Sequence, residues 1–587
     1  MTEYCSSVWL NRLHVGKANV ALNQTMRKSE PPSGLSLPKG NLSSIKHNTT
    51  LDTIVGLKKK PSTTLLSTRL VKPNYLALCR PTYVYEGYTT LLTLCKDKMF
   101  VASYITYFIT AIVILFSLLL IYLKWALTYW KRKGVPYLSP NLPFGNFSNP
   151  ITNKTSIGFY YKRFYEELKL KRKEFGGVYS FTAPIFVPIH QDIVKLILIQ
   201  EFSNFHDRGF YYNEKDQPVS ASLLTVAGSR WRKLRTKLTP TFTSAKIKTM
   251  FHLMVTCAKM LEEQIEECCR NKTPINVGDS VRRMTTDVIG SSAFGIETDS
   301  YKDTTLYRTL ENIAIKMTNH FKQTFCIALP KLARFLKIPQ MPPEELNLIL
   351  ELLKETIKFR TEKKVIRNDF LQLLLDMKNN GLIDVNEVQA QCVLFFLAGY
   401  ETTASTLTFA LYELAYNENV QENLRKEVLE VIAKYDGIVT YEAVQEMKYL
   451  QMVIDETLRM YPPIATLKRK CTKDFRIPNT NVVIEKNTAI FIPMLGFHYD
   501  AEYFPNPDKF MPERFAAENL PHTYLPFGLG PRSCIGDRFG KLQVKMGLIS
   551  FIRNYKFKLN HQVQLPLPYF SGFAGRPNIL LDITKLN

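Results

Sequence analysis

The sequence predicts a mainly α-helical body with small β-sheets, preceded by one N-terminal transmembrane helix. Three observations predict it. From about residue 150 onward, long stretches carry apolar residues at helical spacing, and only short runs read as strands. Val101–Leu123 runs without a charged residue. The chain has 587 residues, 45% of them apolar, which is ample for a large buried core.

Residues 1–98 read as an atypical polar extension, rich in Ser and Thr, with 14 Lys+Arg against 5 Asp+Glu. Met99 stands just before the apolar segment, so translation is expected to start there, with residues 1–98 an extension or gene-model artefact. A targeting presequence is the alternative, although no clear cleavage signal or helical amphipathicity supports it. Residues 99–130 are expected to form the anchor. At about 1.5 Å per residue, Val101–Leu123 covers the ~30 Å hydrocarbon core. Trp125, Tyr129 and Trp130 follow as expected interfacial aromatics, and Lys131, Arg132 and Lys133 place the remainder on the cytosolic side. Residues 131–149 read as a Pro-rich hinge, because Pro136, Pro140 and Pro143 stiffen an extended connector.

Residues 150–587 read as a single catalytic domain, with helices expected over 247–270, 344–364, 386–417, 420–435 and 537–551 and no internal repeat. The ten cysteines form no CxxC pair, so a reduced environment is expected. The formal net charge of +24 favours anionic partners. No zinc-finger spacing or aromatic-laced basic run points to nucleic acid. There is no HExxH, hydrolase elbow or phosphate loop. Nicotinamide and flavin fingerprints are also missing, so reducing equivalents must come from another protein. His498 is expected to pack, not to bind metal.

The strongest signal is Phe527-Gly-Leu-Gly530-Pro-Arg532-Ser-Cys534-Ile-Gly536. A cysteine thiolate ligates iron at a porphyrin only where the backbone comes close, and Gly530 and Gly536 permit that approach and a tight turn. The helix expected from Asp537 offers free N–H groups that favour an ionised sulfur. Arg532 is suited to pair with a carboxylate of the macrocycle, and Phe527 to keep water from the sulfur.

This string is the haem-binding signature of the cytochrome P450 family, which residues 130–587 resemble throughout. The resemblance implies the cytochrome P450 fold, haem b (iron protoporphyrin IX) as cofactor and Cys534 as axial ligand of the iron. Glu456-Thr-Leu-Arg459 sets two charges one turn apart, and with Arg514 resembles the family's structural lock. Ala398-Gly-Tyr-Glu401-Thr402-Thr403 interrupts an apolar helix, and threonine there can bond the preceding turn and bend it. In the family, Thr402 and the adjacent Glu401 would support proton delivery where oxygen binds. Trp231 and Arg235, four residues apart, resemble the propionate-binding helix, and Arg208 and Arg469 match further propionate positions. Arg232, Lys233, Lys237 and Lys541 are expected to form a docking patch for an acidic electron donor.

Local phrases such as Tyr129-Trp-Lys-Arg-Lys-Gly134-Val-Pro136 and Lys237-Leu-Thr-Pro240 are closest to insect microsomal members of the family-6 type. Such proteins imply monooxygenation of lipophilic foreign compounds (plant toxins, insecticides). They use O2 and electrons from NADPH–cytochrome P450 reductase, with cytochrome b5 as a further donor. The location implied is the endoplasmic reticulum membrane, catalytic domain facing the cytosol. The segment 377–384 is shorter than usual for that group. Substrate-pocket candidates are Phe210, Tyr211, Tyr212, Leu397, Ala398, Ile464, Ala465, Phe570 and Phe573; their apolar character favours an apolar ligand. The alternatives are a dedicated hydroxylase of an endogenous hormone or lipid, and a non-catalytic haem protein that binds ligands. Thr402 and Glu401 speak against the latter.

Overall fold

The computed structural model describes residues 82–148, 155–296, 298–317, 322, 325–326, 329–517, 520–565, 567 and 577–586. The first helix, α1 (Thr82–Ala126), contains a segment, Leu92–Ala126, long and apolar enough to cross a membrane. Its large apolar side chains from Met99 to Tyr122, and Trp125, are exposed. The Thr106 and Thr110 hydroxyls donate to carbonyls one turn back at 2.8 Å, so neither is left without a partner on this apolar rod.

The role expected of Trp130 at the membrane interface is not what the structure shows. Its ring is fully buried, and its indole N–H donates to the Val178 carbonyl at 3.1 Å. Gly177 has no room for a Cβ because that ring lies against it. Tyr129 donates to Glu485 at 2.9 Å, and Lys133 pairs with the same carboxylate. An amphipathic aromatic suits a lipid interface and a hydrogen-bonded core niche equally, and the sheet decides between them. Only Trp125 stays exposed, with Arg132 over its ring at 4.4 Å. The proline segment is also attached: Gly177 N–H donates to the Pro136 carbonyl at 2.7 Å, and Leu138 is buried.

The body follows in chain order. Helix α2 (Ile157–Leu170) leads into β1 (Phe175–Ser180) and β2 (Ala183–Pro188). Then come α3 (Gly228–Leu238), α4 (Ser244–Asn271), α5 (Val277–Ile289), α6 (Val385–Tyr416) and α7 (Lys448–Met460). After β3 (Leu467–Lys470) and β4 (Ala489–Ile492) comes α8 (Asp537–Ile552). The sheet order is β1-β2-β4-β3, with β2 and β4 parallel and the other neighbours antiparallel. Smaller antiparallel pairings join Ile275–Asn276 and Tyr555–Leu559 to Leu580–Lys585. The helices expected from periodicity are present as α4, α6, α8, Pro343–Lys363 and Glu418–Ala433.

Helix α6 organises the core. Asp384 accepts from Glu387 N at 2.7 Å and Glu387 returns the bond to Asp384 N, a capping box that satisfies two orphan donors. Two glycines let its neighbours come close. A Cβ on Gly399 would strike Ile289 of α5, and one on Gly547 of α8 would strike Leu407. Phe396, Ala404, Leu407 and Leu411 are consequently sealed from solvent. A second cluster, with Trp130, Tyr161, Phe164, Phe186 and Ile490, covers the sheet.

Candidate active site

The segment before α8 forms a tight turn. Ser533 N–H donates to Gly530 O at 2.9 Å, and Cys534 N–H donates to Phe527 O at 2.8 Å. Gly528 and Gly530 both take φ +74°, a left-handed conformation costly for any other residue. The expected close approach at Gly530 is to the protein itself: a Cβ there would collide with the Leu198 carbonyl. At Gly536 a Cβ would meet only Phe242, at 3.9 Å, so that side of the turn stays open.

Cys534 opens onto a cavity of about 330 Å³ instead of the outer surface. Burial pushes its thiol above the usual range. The Gly536 N–H and the Arg208 and Arg235 guanidiniums act in the opposite direction. Burial thus works against the helix N-terminus that was expected to favour a thiolate.

The predicted basic residues converge beside it. Arg208 donates to the Arg532 carbonyl at 2.7 Å and Arg235 to the Ser533 carbonyl at 2.9 Å. Arg532 donates to the carbonyls of His206 at 2.8 Å and Val226 at 2.9 Å, with its guanidinium 3.9 Å from the Trp231 ring centroid. The Trp231 ring is thereby a platform for Arg532. Arg469 donates to the Lys468 carbonyl at 2.9 Å, while its Nε has no partner among the described residues. Asp207 lies 3.7 Å from Arg532. Burial, with mutual repulsion, pulls Arg532 down to about 8 and Arg469 to about 9. Burial likewise lowers Arg208 to about 10 and Lys468 to about 8. Such a cluster fits a ligand bearing two carboxylates. Among the described residues no three His, Cys, Asp or Glu side chains gather as a metal site.

Above the turn, α6 supplies Leu394, Phe395, Ala398, Gly399, Thr402, Thr403 and Thr406 to the cavity wall. These positions share one face of a 3.6-residue repeat. Leu397 and Glu401 lie off that face and do not line the cavity. Glu401 is buried 3.4 Å from Arg282 of α5. Its carboxylate, expected beside Thr402, faces α5 and not the cavity. The Thr402 hydroxyl donates to the Ala398 carbonyl at 2.6 Å, as expected of a threonine that eases the helix apart.

Phe210, Ala398 and Ile464 line the cavity. Tyr211 does not: it donates to the Ile338 carbonyl at 2.7 Å within a separate small cluster. Tyr212 and Ala465 are not among the lining residues either, and Phe570 and Phe573 lie outside the described residues. Sequence reasoning missed Leu223, Leu224, Ile289, Ser292, Ala293 and Phe370. Nothing local marks these, because they reach the cavity only through the packing of α5 and neighbouring loops on α6.

The lock residues meet. Glu456 and Arg459 pair at 2.7 Å, both fully buried, and Arg514 reaches Glu456 at 3.1 Å. His498 is structural: its Nδ1 lies 3.0 Å from the Arg459 carbonyl, and its Nε2 accepts from Leu525 N at 3.1 Å. Of the expected docking patch, Arg232 and Lys233 are exposed. Lys237 donates to the Leu382 carbonyl and Lys541 pairs with Asp455 at 2.9 Å, so these two are already engaged.

A profile of the family Cytochrome P450 matches residues 151–581. The chain belongs to the cytochrome P450 family. It is 38% identical over 502 residues to "Cytochrome P450 6A1" of Musca domestica, covering 82% of this chain and 98% of that protein. Similarity to "Probable cytochrome P450 6a13" of Drosophila melanogaster is 39% over 479 residues, 79% of this chain and 96% of the relative. "Cytochrome P450 6k1" of Blattella germanica is 37% identical over 501 residues, 78% and 93% respectively. As a cytochrome P450 the protein is a haem-dependent monooxygenase that uses O2, a small-molecule substrate and a redox partner.

Proposed function

We propose that this cytochrome P450 oxidises lipophilic foreign compounds, plant toxins and insecticides among them, with electrons from NADPH–cytochrome P450 reductase and cytochrome b5. We infer haem b as its cofactor and the endoplasmic reticulum membrane as its site, the body facing the cytosol. The observation that carries the reading is a single cavity in which Cys534, the arginine cluster and the apolar face of α6 meet. The length and exposed apolar surface of α1 support membrane attachment.

Haem bound there supplies the iron that activates dioxygen. The chain's own residues do the rest. Cys534 would offer the sulfur ligand, with Arg208 and Arg235 helping to balance its charge. Arg208, Arg235, Arg469 and Arg532 would hold the two propionates by charge-assisted hydrogen bonds. Ala398, Gly399 and Phe395 exclude water and accept an apolar molecule. Thr402, on the cavity wall, would pass a proton by exchanging its hydroxyl bond to the Ala398 carbonyl, and Glu401 would act from behind the helix, beside Arg282. The Glu456–Arg459–Arg514 lock holds the chain ahead of the cysteine turn.

The test is the carbon monoxide difference spectrum of the dithionite-reduced full-length protein beside Cys534→Ser. A strongly red-shifted Soret band in the parent, lost in the variant, is expected. A histidine-type band in the parent would overturn thiolate ligation.

A further inference from the structure

Behind the arginine cluster stands a carboxylate that takes no part in the cavity wall. Asp207 is not among the lining residues, yet the segments that carry Arg208, Arg235, Arg469 and Arg532 all meet at it. Arg208 follows it in the chain. Its backbone carbonyl accepts from Lys470 N at 2.7 Å, on the strand residue next to Arg469. Its Oδ1 accepts at 2.8 Å from the N–H of Gly228, the first residue of α3, and Arg235 lies further along the same helix. A carboxylate is favoured at such a helix start by the free N–H groups and the dipole. The same oxygen lies 3.7 Å from Arg532 and 3.4 Å from His206 Nε2. Among the described residues Asp207 is the only carboxylate ion-paired with any of the four arginines; Asp537 acts on Arg235 from farther away. The hydrogen bonds that Arg532 donates go to main-chain carbonyls, which carry no net charge. One fixed negative charge therefore backs a group of four positive charges that repel one another.

We propose that Asp207 is a positioning residue for haem that acts through its charge as well as its bonds. Its hydrogen bonds hold together the segments that carry the four arginines, and its negative charge opposes the propionates those arginines hold. With two propionates seated on the cavity side, Asp207 is a like charge behind the same guanidiniums. It loosens the grip on haem and, as a negative charge near the site, disfavours the added electron when the iron is reduced. This deepens, and rests on, the proposed seating of haem between Cys534 and the arginines.

The experiment uses the purified full-length holoprotein, with Asp207→Asn and Asp207→Glu. Asparagine keeps an oxygen for the Gly228 N–H and removes the charge; glutamate keeps the charge. Haem transfer to apomyoglobin and the reduction midpoint, from mediated titration of the Soret band, are read on each. Asp207→Asn should keep the thiolate band and shift the midpoint upward. It should also release haem about three- to tenfold more slowly, as expected for the loss of one screened charge contact. Asp207→Glu should stay near the parent in both readings. Faster transfer in Asp207→Asn at an unchanged midpoint would make the residue a structural brace only. That result, or no change in either reading, would overturn the proposal while leaving haem ligation by Cys534 standing. An Asp207→Asn protein that takes up no haem, beside a normal Asp207→Glu, would overturn it as well. A parent without a thiolate band would instead overturn the seating of haem on which the inference rests.

Discussion

Arg282 of α5 and Glu401 of α6 form an ion pair sealed between the two helices, Nε to Oε2 at 3.4 Å, with side chains 6% and 3% exposed. Although burial, the largest influence, works against the guanidinium, the charge and hydrogen bond of Glu401 together with Tyr400 and Tyr307 raise the Arg282 pKa. The pair braces the helix that carries Thr402 from the side away from the cavity. Removing one partner strands a buried charge, so Glu401→Gln should cost about 3–5 kcal/mol in guanidinium unfolding of the holoprotein. Thr402→Val, which loses only a hydroxyl bond to the preceding turn, should cost about 1 kcal/mol or less. Full stability in Glu401→Gln with lost turnover would place the acid in the chemistry instead.

His498 carries a pH dependence of stability. Burial first, then the nearby Arg459 charge, depresses its imidazole from 6.5 to about 3, against the raising effect of the bond to the Arg459 carbonyl. Between those values the unfolded chain binds a proton that the folded chain does not. Stability is therefore full above about pH 6.5 and lost as pH falls toward 3. The contribution is on the order of 4 kcal/mol at the lower limit. His498→Gln should flatten that acid limb in unfolding curves taken at successive pH values, while costing stability near neutrality.

Arg469 is the member of the cation cluster whose Nε lacks a partner among the described residues. Arg469→Met removes a repelling buried charge, so the haem-free protein should melt at least as high as the parent. Haem should leave about 10- to 100-fold faster, corresponding to a charged hydrogen bond of about 1.5–3 kcal/mol. Haem transfer to apomyoglobin reports the second quantity, and an unchanged rate would remove Arg469 from the propionate set.

Trp130 and Trp125 separate a core role from an interfacial one. Trp130→Ala should cost about 3–5 kcal/mol of unfolding free energy without weakening attachment to vesicles. Trp125→Ala, at an exposed position, should stay within about 0.5 kcal/mol in stability. Vesicle flotation and chemical denaturation of the two variants give the comparison.

The cysteine turn, the lock and the long helices were legible because each is carried by residues close in sequence. Gly530 and Cys534 constrain one turn, Glu456 and Arg459 share one helical face, and Asp384 and Glu387 cap α6 across a single turn. The arginine cluster was legible by its residue types but not by its arrangement, and Trp231 turned out to support Arg532 through its ring. Leu397 was misplaced on the cavity wall because a run of candidates in sequence was not divided by face; a 3.6-residue repeat separates it from Thr402.

By itself the sequence determined the local chemistry: a thiol in a glycine-rich turn before a helix, buried charge pairs one turn apart, and an apolar stretch long enough to span a bilayer. Only the tertiary structure decided which side chains reach the cavity. Ile289 reaches it because α5 closes against α6 at Gly399, Glu401 is turned away by its pair with Arg282, and Trp130 is drawn from the expected interface by the sheet at Gly177 and Val178. The reason is physical. Backbone conformation and helix phase depend on neighbours in the chain, whereas burial and pairing of a side chain depend on surfaces hundreds of residues away that meet only when the helices pack.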